Sequence, residues 1–260
     1  MRTIPQKQQN NLWRISLRGI GTQYLSIKNL NNFIMKLKFY RVHFLIKGVF
    51  PQIETIDIYQ RRVGPWDFLN SKELKSFCYN VKLKYQAKLK DVLGYYGHGG
   101  SGAMVNKRLR DILEEYNFGC RYQYINVSIV TRKGEPVSEV YYQLHIPMPG
   151  IVDKIDYPKS VFYVKKFGEL VSDTPIKVQS YDDHRRLQES LIKKDASALI
   201  LAEDIVFKKG TNPNLDIFDF SGESSGMLFM VSERLKQRLE QEKITGITFE
   251  EYPYTISIDE

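Results

Sequence analysis

The cysteine and histidine residues have the side chains that could support a metal site or a nucleophile. The two cysteines and four histidines of the chain are spread over separate segments. None of them has the H-x-x-x-H, C-x-x-C or H-x-E spacing that is typical of zinc sites. The sequence also lacks the lysine-containing phosphate loop of Walker A type. It therefore predicts no metal site and no cofactor.

Two pairs of residues could still act as catalytic groups. Cys120 and His145 could meet across a hairpin, but a dyad needs an activated thiolate, and the alternative is a packed cysteine and a strand-face imidazole. Asp153 and Asp156 could serve as a general acid and base, or they could cap a turn or a helix start. We expect the structural role for both pairs, which favours a protein that is not an enzyme.

A glycine-rich segment, residues 94–103 (GYYGHGGSGA), is a candidate for nucleotide binding. Gly97, Gly99 and Gly102 match the G-x-G-x-x-G pattern, which would place a phosphate at the start of the next helix. Residues 88–93 have helical spacing, however, so the strand that should precede such a loop is missing. We prefer a surface loop here. A nucleotide-using enzyme built on this loop is one alternative function.

The positive charge of the chain is concentrated in residues 1–34. They hold five basic residues and no acid, so they supply +5 of the net charge of +8. A basic arm suits nucleic acid, and a nucleic-acid-binding module that uses this segment is the second alternative function. The segment also resembles a targeting sequence, or sequence upstream of a true start at Met35. We favour the start at Met35, and the near-neutral remainder argues against nucleic acid as the partner.

Composition and hydropathy indicate a globular protein in a reducing compartment. Two cysteines in 260 residues do not suggest a disulfide framework. There is no apolar run of about 20 residues, so no membrane-spanning helix is predicted. We expect a cytoplasmic protein with one domain over residues 35–260, or with two lobes over residues 35–140 and 141–260.

Hydrophobic periodicity predicts an α+β fold. Alternating apolar residues indicate strands at 122–130 and 137–146, which would pair as an antiparallel hairpin. Apolar residues three and four apart indicate a few amphipathic helices, one of them opening at Asp182. We therefore predict a mixed, mainly antiparallel sheet with two related halves around residues 141–160.

The two halves are suggested by a resemblance between residues 104–116 and 230–242, where six of 13 positions are identical. Asn106 and Ser232 occupy equivalent positions at which either side chain can cap a helix N-terminus. Leucines four residues apart follow in both segments and share one helix face. The match indicates either a pseudo-repeat or two amphipathic helices that are alike because of their shared periodicity.

Exposed aromatic and charged residues are the candidates for contact with a partner. Aromatic residues beside a flexible loop are typical interface anchors, and a charged helix face is either solvated or a binding patch. The candidate contact residues are Tyr95, Tyr96, His98, Asp182, Asp183, Arg185 and Arg186.

The order of several short motifs resembles the immunity proteins of bacterial polymorphic toxin systems, in the type-eleven family and its type-forty-three relative. The resemblance runs from Met35 to the C-terminus and leaves residues 1–34 outside. Asn106 departs from the serine usually found at the first helix start. The motifs are Val105-Asn106-Lys107, Tyr124-Ile125-Asn126-Val127, Val152-Asp153-x-Ile155-Asp156 with Ser160, Val231-Ser232-Glu233 and Thr245-Gly246-x-x-Phe249.

This resemblance implies a non-catalytic bacterial protein of the cytoplasm that acts in interbacterial competition. Such a protein binds and neutralises a cognate toxin domain, which is often encoded next to it. The charge of this chain does not indicate a nuclease as the toxin, because its body is not acidic. The resemblance assigns a structural role to Asn106, Asp153, Asp156, Ser160, Ser232 and Gly246.

Overall fold

Strands dominate the part of the chain that the computed structural model describes, which is residues 12–17, 20–26, 35–44, 53–56, 63–64, 66–84, 87–93, 101–220, 229–253 and 255–259. The helices are α1 (Ser71–Ser76), α2 (Lys107–Leu113), α3 (Tyr181–Lys194) and α4 (Glu233–Gln241). The strands are β1 (Leu12–Leu17), β2 (Ile20–Ser26), β3 (Met35–Leu37), β4 (Phe39–Phe44), β5 (Ile53–Ile56), β6 (Cys78–Leu83), β7 (Val92–Leu93), β8 (Ser101–Asn106), β9 (Gln123–Val130), β10 (Tyr141–Ile146), β11 (Val161–Lys166), β12 (Glu169–Leu170), β13 (Ala198–Phe207), β14 (Ile217–Asp219), β15 (Phe229–Ser232), β16 (Ile247–Glu251) and β17 (Thr255–Ile258). None of these helices is long and apolar enough to cross a membrane.

The strands form one separate pair, β1-β2, and three larger sheets. Sheet I has the order β5-β6-β9-β10-β8-β7, sheet II the order β14-β15-β4-β16, and sheet III the order β12-β11-β13-β17-β3. Within the described ranges, β6 pairs with β9 and β13 with β17 in parallel, and the other paired strands are antiparallel. The predicted α+β fold with a mainly antiparallel sheet is therefore confirmed.

One prediction about local structure is wrong. Residues 88–93 are not helical, because Val92 and Leu93 form β7 and turn their side chains to opposite faces of sheet I. The described segments of residues 1–34 form the antiparallel pair β1-β2, for which the sequence analysis made no prediction. The register of this pair has an irregularity between Ile15 and Leu17.

Three clusters of buried side chains hold the sheets. The first includes Phe207 and Phe218 and joins sheet III to sheet II. The second contains residues of sheets I and II together with the leucines of α2 and α4. The third covers the opposite face of sheet I and includes Val63 and Leu69, with Leu74 and Phe77 packed against it. Sheet II thus separates the first two clusters, and sheet I separates the second from the third.

Sheets I and II contain matching units of four strands and a helix. The strand orders β7-β8-β10-β9 and β14-β15-β4-β16 correspond position by position, and every pair within them is antiparallel. In each unit the second strand leads directly into a helix, α2 or α4, and the helix leads to the fourth strand. The two related halves are therefore a feature of the fold and not only of helix periodicity.

The matching units are not two consecutive pieces of the chain. In the first unit, β10 follows the helix and its outer strand, whereas its counterpart β4 precedes the rest of the second unit by more than 170 residues. A boundary after residue 140 would separate β10 from β9 and β8, its hydrogen-bonded neighbours. The division into two lobes stays a prediction.

Candidate binding surface

The first half holds the start of α2 with a buried polar cluster. Asn106 Oδ1 accepts from the Leu109 amide at 2.9 Å, as a helix cap does. Its Nδ2 donates to Asp91 Oδ1 at 3.0 Å and to Glu139 Oε1 at 2.7 Å. Arg108 Nη1 lies 3.5 Å from the same Asp91 oxygen. The cap predicted at Asn106 is confirmed. Asp91, the residue before β7, holds the Asn106 side chain in place.

The second half repeats this cluster. Ser232 Oγ accepts from the Leu235 amide at 3.2 Å and donates to Asp216 Oδ1 at 2.6 Å. Arg234, at the position equivalent to Arg108, forms a bidentate pair with Asp216. The predicted cap at Ser232 is confirmed. Both halves therefore have a capping side chain bound to an aspartate at the start of the helix.

Each cluster also receives hydrogen bonds from a loop of the other half. The loop after α4 brings Thr245, whose N–H and Oγ1 donate to Asp91 Oδ2 at 2.8 and 2.7 Å. The loop after α2 brings Asn117, whose N–H donates to Asp216 Oδ2 at 3.1 Å. The opposite half therefore donates two hydrogen bonds to Asp91 and one to Asp216.

The arginines of the clusters also cross between the halves. Arg108 Nη2 lies 3.1 Å from the Glu242 carboxylate at the end of α4. Arg234 lies over the Tyr116 ring at the end of α2, with 5.2 Å to the centroid. Glu242 and Tyr116 are equivalent positions in the two halves. The contacts are thus reciprocal, and these clusters act as the structural junction of the molecule.

Ser232→Ala should lower the free energy of unfolding by about 1–2 kcal/mol, because it removes the helix cap and the donor to Asp216. The measurement is chemical denaturation followed by circular dichroism. Ser190→Ala, on the exposed face of α3, is the matched control and should change stability by less than about 0.5 kcal/mol. Equal losses in the two variants would contradict the capping role.

The motif residues between positions 151 and 160 also support the backbone. Ser160 Oγ donates to the Asp156 carbonyl at 2.8 Å and accepts from the Val206 amide at 3.0 Å. Asp156 precedes a short 3₁₀ helix, but its side chain makes no capping hydrogen bond, so the expected capping role is wrong. Its carboxylate lies 3.5 Å from Lys159 Nζ instead. Asp153 is exposed, and its carbonyl accepts from Lys208 Nζ at 2.7 Å.

Cys120 and His145 have different partners and no sign of activation. The Asp219 backbone hydrogen-bonds the Cys120 thiol, and burial raises the pKa of that thiol to about 12, which disfavours a thiolate. His145 Nε2 lies 2.9 Å from the Asp67 carbonyl, and burial lowers the pKa of its imidazole. Among the described residues there is also no group of His, Cys, Asp and Glu side chains that could hold a metal ion.

The contact residues predicted from sequence lie in two places. Tyr95, Tyr96 and His98, with most of the glycine-rich loop, lie outside the described residues. The other four candidates share α3, which packs on β13 through His184 and exposes its charged face. The ion pairs of this face are Asp183 with Arg186 at 2.7 Å and Arg185 with Glu189 at 3.4 Å. The role of Asp182, Asp183, Arg185 and Arg186 in binding stays a prediction.

Another surface lies beside α2 on the inner strands β9 and β10, where a cation lies over tyrosine rings. The Arg110 guanidinium is 4.4 Å from the Tyr142 centroid and 5.3 Å from that of Tyr124. Tyr122 extends the row, with its ring centroid 5.8 Å from that of Tyr124. Cation–aromatic contacts of this kind hold both partners in defined positions. The row is half-buried and borders the second core cluster.

The row continues onto an open sheet surface. Along β9 the buried residues alternate with Tyr124, Asn126 and Ser128, of which the last two are exposed. Asn80 on β6 lies beside Ser128 in the register and is also exposed. We call Arg110, Tyr122, Tyr124, Tyr142, Asn126 and Ser128 together the tyrosine face. The alternating residues predict the strand, but only the position of α2 identifies this face.

Two polar atoms of the tyrosine face are buried without a hydrogen-bond partner in the described part of the chain. They are Arg110 Nε and the Tyr124 hydroxyl. Burial raises the pKa of Tyr124, so the phenol keeps its proton. Buried polar groups in folded proteins are nearly always bonded to protein or to ordered water, so these two atoms call for a partner outside the described chain.

Comparison with known proteins gives one family match. The model of the immunity protein family Imm11 matches residues 47–253, which include both structural halves except for β4. No curated protein matches the chain.

Proposed function

Because the chain belongs to the immunity protein family Imm11, we propose that it binds and neutralises a cognate bacterial toxin domain. The family match over residues 47–253 is the observation that carries the proposal. The toxin belongs to a polymorphic toxin system and is encoded next to this protein. Binding takes place in the bacterial cytoplasm and protects the producing cell during interbacterial competition.

The protein acts by occupying the toxin and performs no reaction of its own. The raised pKa of the Cys120 thiol supports this, because it opposes nucleophilic chemistry at the best candidate nucleophile. The polar clusters at Asp91 and Asp216 support it too, since their side chains are engaged in holding the helices. Side chains that are already held in place lose less conformational entropy on association, which favours tight binding.

The proposal predicts a stable complex with the toxin domain encoded by the neighbouring gene. Both proteins are co-expressed, the toxin domain is purified through a tag, and this protein should elute with it in equal amounts. Cells that express the toxin domain alone should stop growing, and co-expression should restore growth. A toxin domain from an unrelated system is the control and should be neither bound nor neutralised. A folded protein that neither binds nor restores growth would refute the function.

A further inference from the structure

We propose that the toxin docks on the tyrosine face and places an acidic side chain on Arg110. This inference rests on the proposed function and adds the location and the chemistry of the contact. Tyr124 and Asn126 lie in one of the sequence motifs, but no part in binding was predicted for them. The face lies apart from the charged face of α3 and on a different sheet.

The residue types of the tyrosine face are those of a protein-binding surface. Tyrosine and arginine are enriched among residues that dominate binding energy, because they bring large contact area at a low cost in conformational entropy. Asparagine and serine add hydrogen bonds that adapt to the partner. Here Tyr124 and Tyr142 lie beside Arg110, while Asn126 and Ser128 are exposed next to them.

The charge of Arg110 determines the chemistry of the partner. On α2, Lys107 pairs with Asp111, and Arg108 pairs with Asp91 and Glu242. Arg110 makes no ion pair within the described ranges of the chain, and its Nε has no acceptor there. Glu114, four residues further along the chain, hydrogen-bonds the Tyr122 hydroxyl instead. The Arg110 guanidinium over its two rings therefore suits a carboxylate from a partner.

The second half provides a natural comparison. Lys236 occupies the position equivalent to Arg110 and lies over Tyr40 and Phe249, at 4.9 and 5.9 Å from their centroids. Its charge is already paired, because Glu240 Oε2 lies 2.9 Å from Lys236 Nζ. Tyr40 is paired as well, since its hydroxyl donates to Glu233. The same scaffold thus has one occupied cation site and one available cation site.

The test compares Arg110→Gln with Lys236→Gln, using the full-length protein and the purified toxin domain from the neighbouring gene. Titration calorimetry measures the dissociation constant, and thermal unfolding of each free variant shows that it is folded. Arg110→Gln should weaken binding at least about 30-fold, as loss of a central arginine does. Lys236→Gln should stay within about threefold of the wild type.

Two further variants test the tyrosine face and the alternative binding surface, the charged face of α3. Ser128→Arg adds a bulky cation to the open strand, so it should abolish tight binding without disturbing the buried face of β9. Arg185→Gln tests the charged face of α3 and should leave the affinity unchanged. Wild-type affinity in both Arg110→Gln and Ser128→Arg would overturn the location, and a loss in Arg185→Gln alone would transfer the contact to α3.

The outcomes separate the two proposals. If the wild-type protein fails to bind the toxin domain, the proposed function fails and this inference fails with it. If the wild type binds and every tyrosine-face variant binds equally well, only the location is wrong. The salt dependence of binding gives a third readout, because Arg110→Gln should weaken it if a carboxylate is the partner.

Discussion

Gly246→Ala is expected to lower the free energy of unfolding by about 3 kcal/mol or more, although it adds only one methyl group. Gly246 has a φ of +94°, which costs an L-residue energy that glycine avoids. In addition, an alanine Cβ would overlap the Val92 carbonyl oxygen, which belongs to the backbone and cannot rotate away. The glycine therefore allows the loop after α4 to approach β7.

Gly134→Ala is the matched control for this prediction. Its φ is +87°, but no heavy atom lies within 4 Å of the position that an alanine Cβ would take. Only the backbone term remains, so we expect a loss of about 1–2 kcal/mol. Denaturant unfolding of both variants gives the comparison. Equal losses would mean that the approach of the loop to Val92 contributes nothing.

Asp216→Asn should lower the free energy of unfolding at neutral pH by about 3 kcal/mol, because it breaks a buried charged network. Asp216 is 1% exposed. Burial alone would raise its pKa, but hydrogen bonds from Arg234, Ser232 and the Asn117 amide outweigh burial and lower the pKa below its ordinary value. Asp182→Asn, on the exposed face of α3, is the control and should unfold near the wild-type midpoint.

The same network sets the expected acid sensitivity. A carboxylate whose pKa is lower in the folded protein stabilises the fold above its unfolded-state pKa of about 4, and this contribution is lost as the pH falls through the folded-state pKa. The pKa of Asp91 is lowered as well, again against the effect of burial, by hydrogen bonds from Thr245 and Asn106 and by Arg108. The stability of the wild type should therefore fall below pH 4, and that of Asp216→Asn should fall less. Parallel curves for the two proteins would contradict the assignment.

Patterns in the sequence predicted those features that depend only on residues close together in the chain. Asn106 and Ser232 were recognisable as caps because a cap depends on the three residues that follow it. The strand β9 was recognisable because its alternation extends over eight residues. The strand β7 has only two residues, so no period could distinguish it from a helical turn.

Contacts between distant residues could not be predicted in this way. Asp91 and Thr245 are 154 positions apart, and nothing in either neighbourhood indicates that they meet. The tyrosine face could not be predicted for the same reason. Tyr124 and Tyr142 lie on two strands, and the fold of the chain is what places Arg110 of α2 over both rings. The resemblance between the two helical segments nevertheless contained the essential hint, since Arg108 and Arg234 are among its identical positions.

The reciprocal contacts between Asp91 with Thr245 and Asp216 with Asn117 have the logic of an isologous dimer, in which each subunit gives what it receives. Here both partners belong to one chain, so their association is unimolecular and does not weaken on dilution. A homodimer must also carry every substitution twice. This chain can change one copy alone: Glu240 pairs with Lys236, whereas Glu114 at the equivalent position hydrogen-bonds Tyr122 and leaves Arg110 without an ion pair within the described residues.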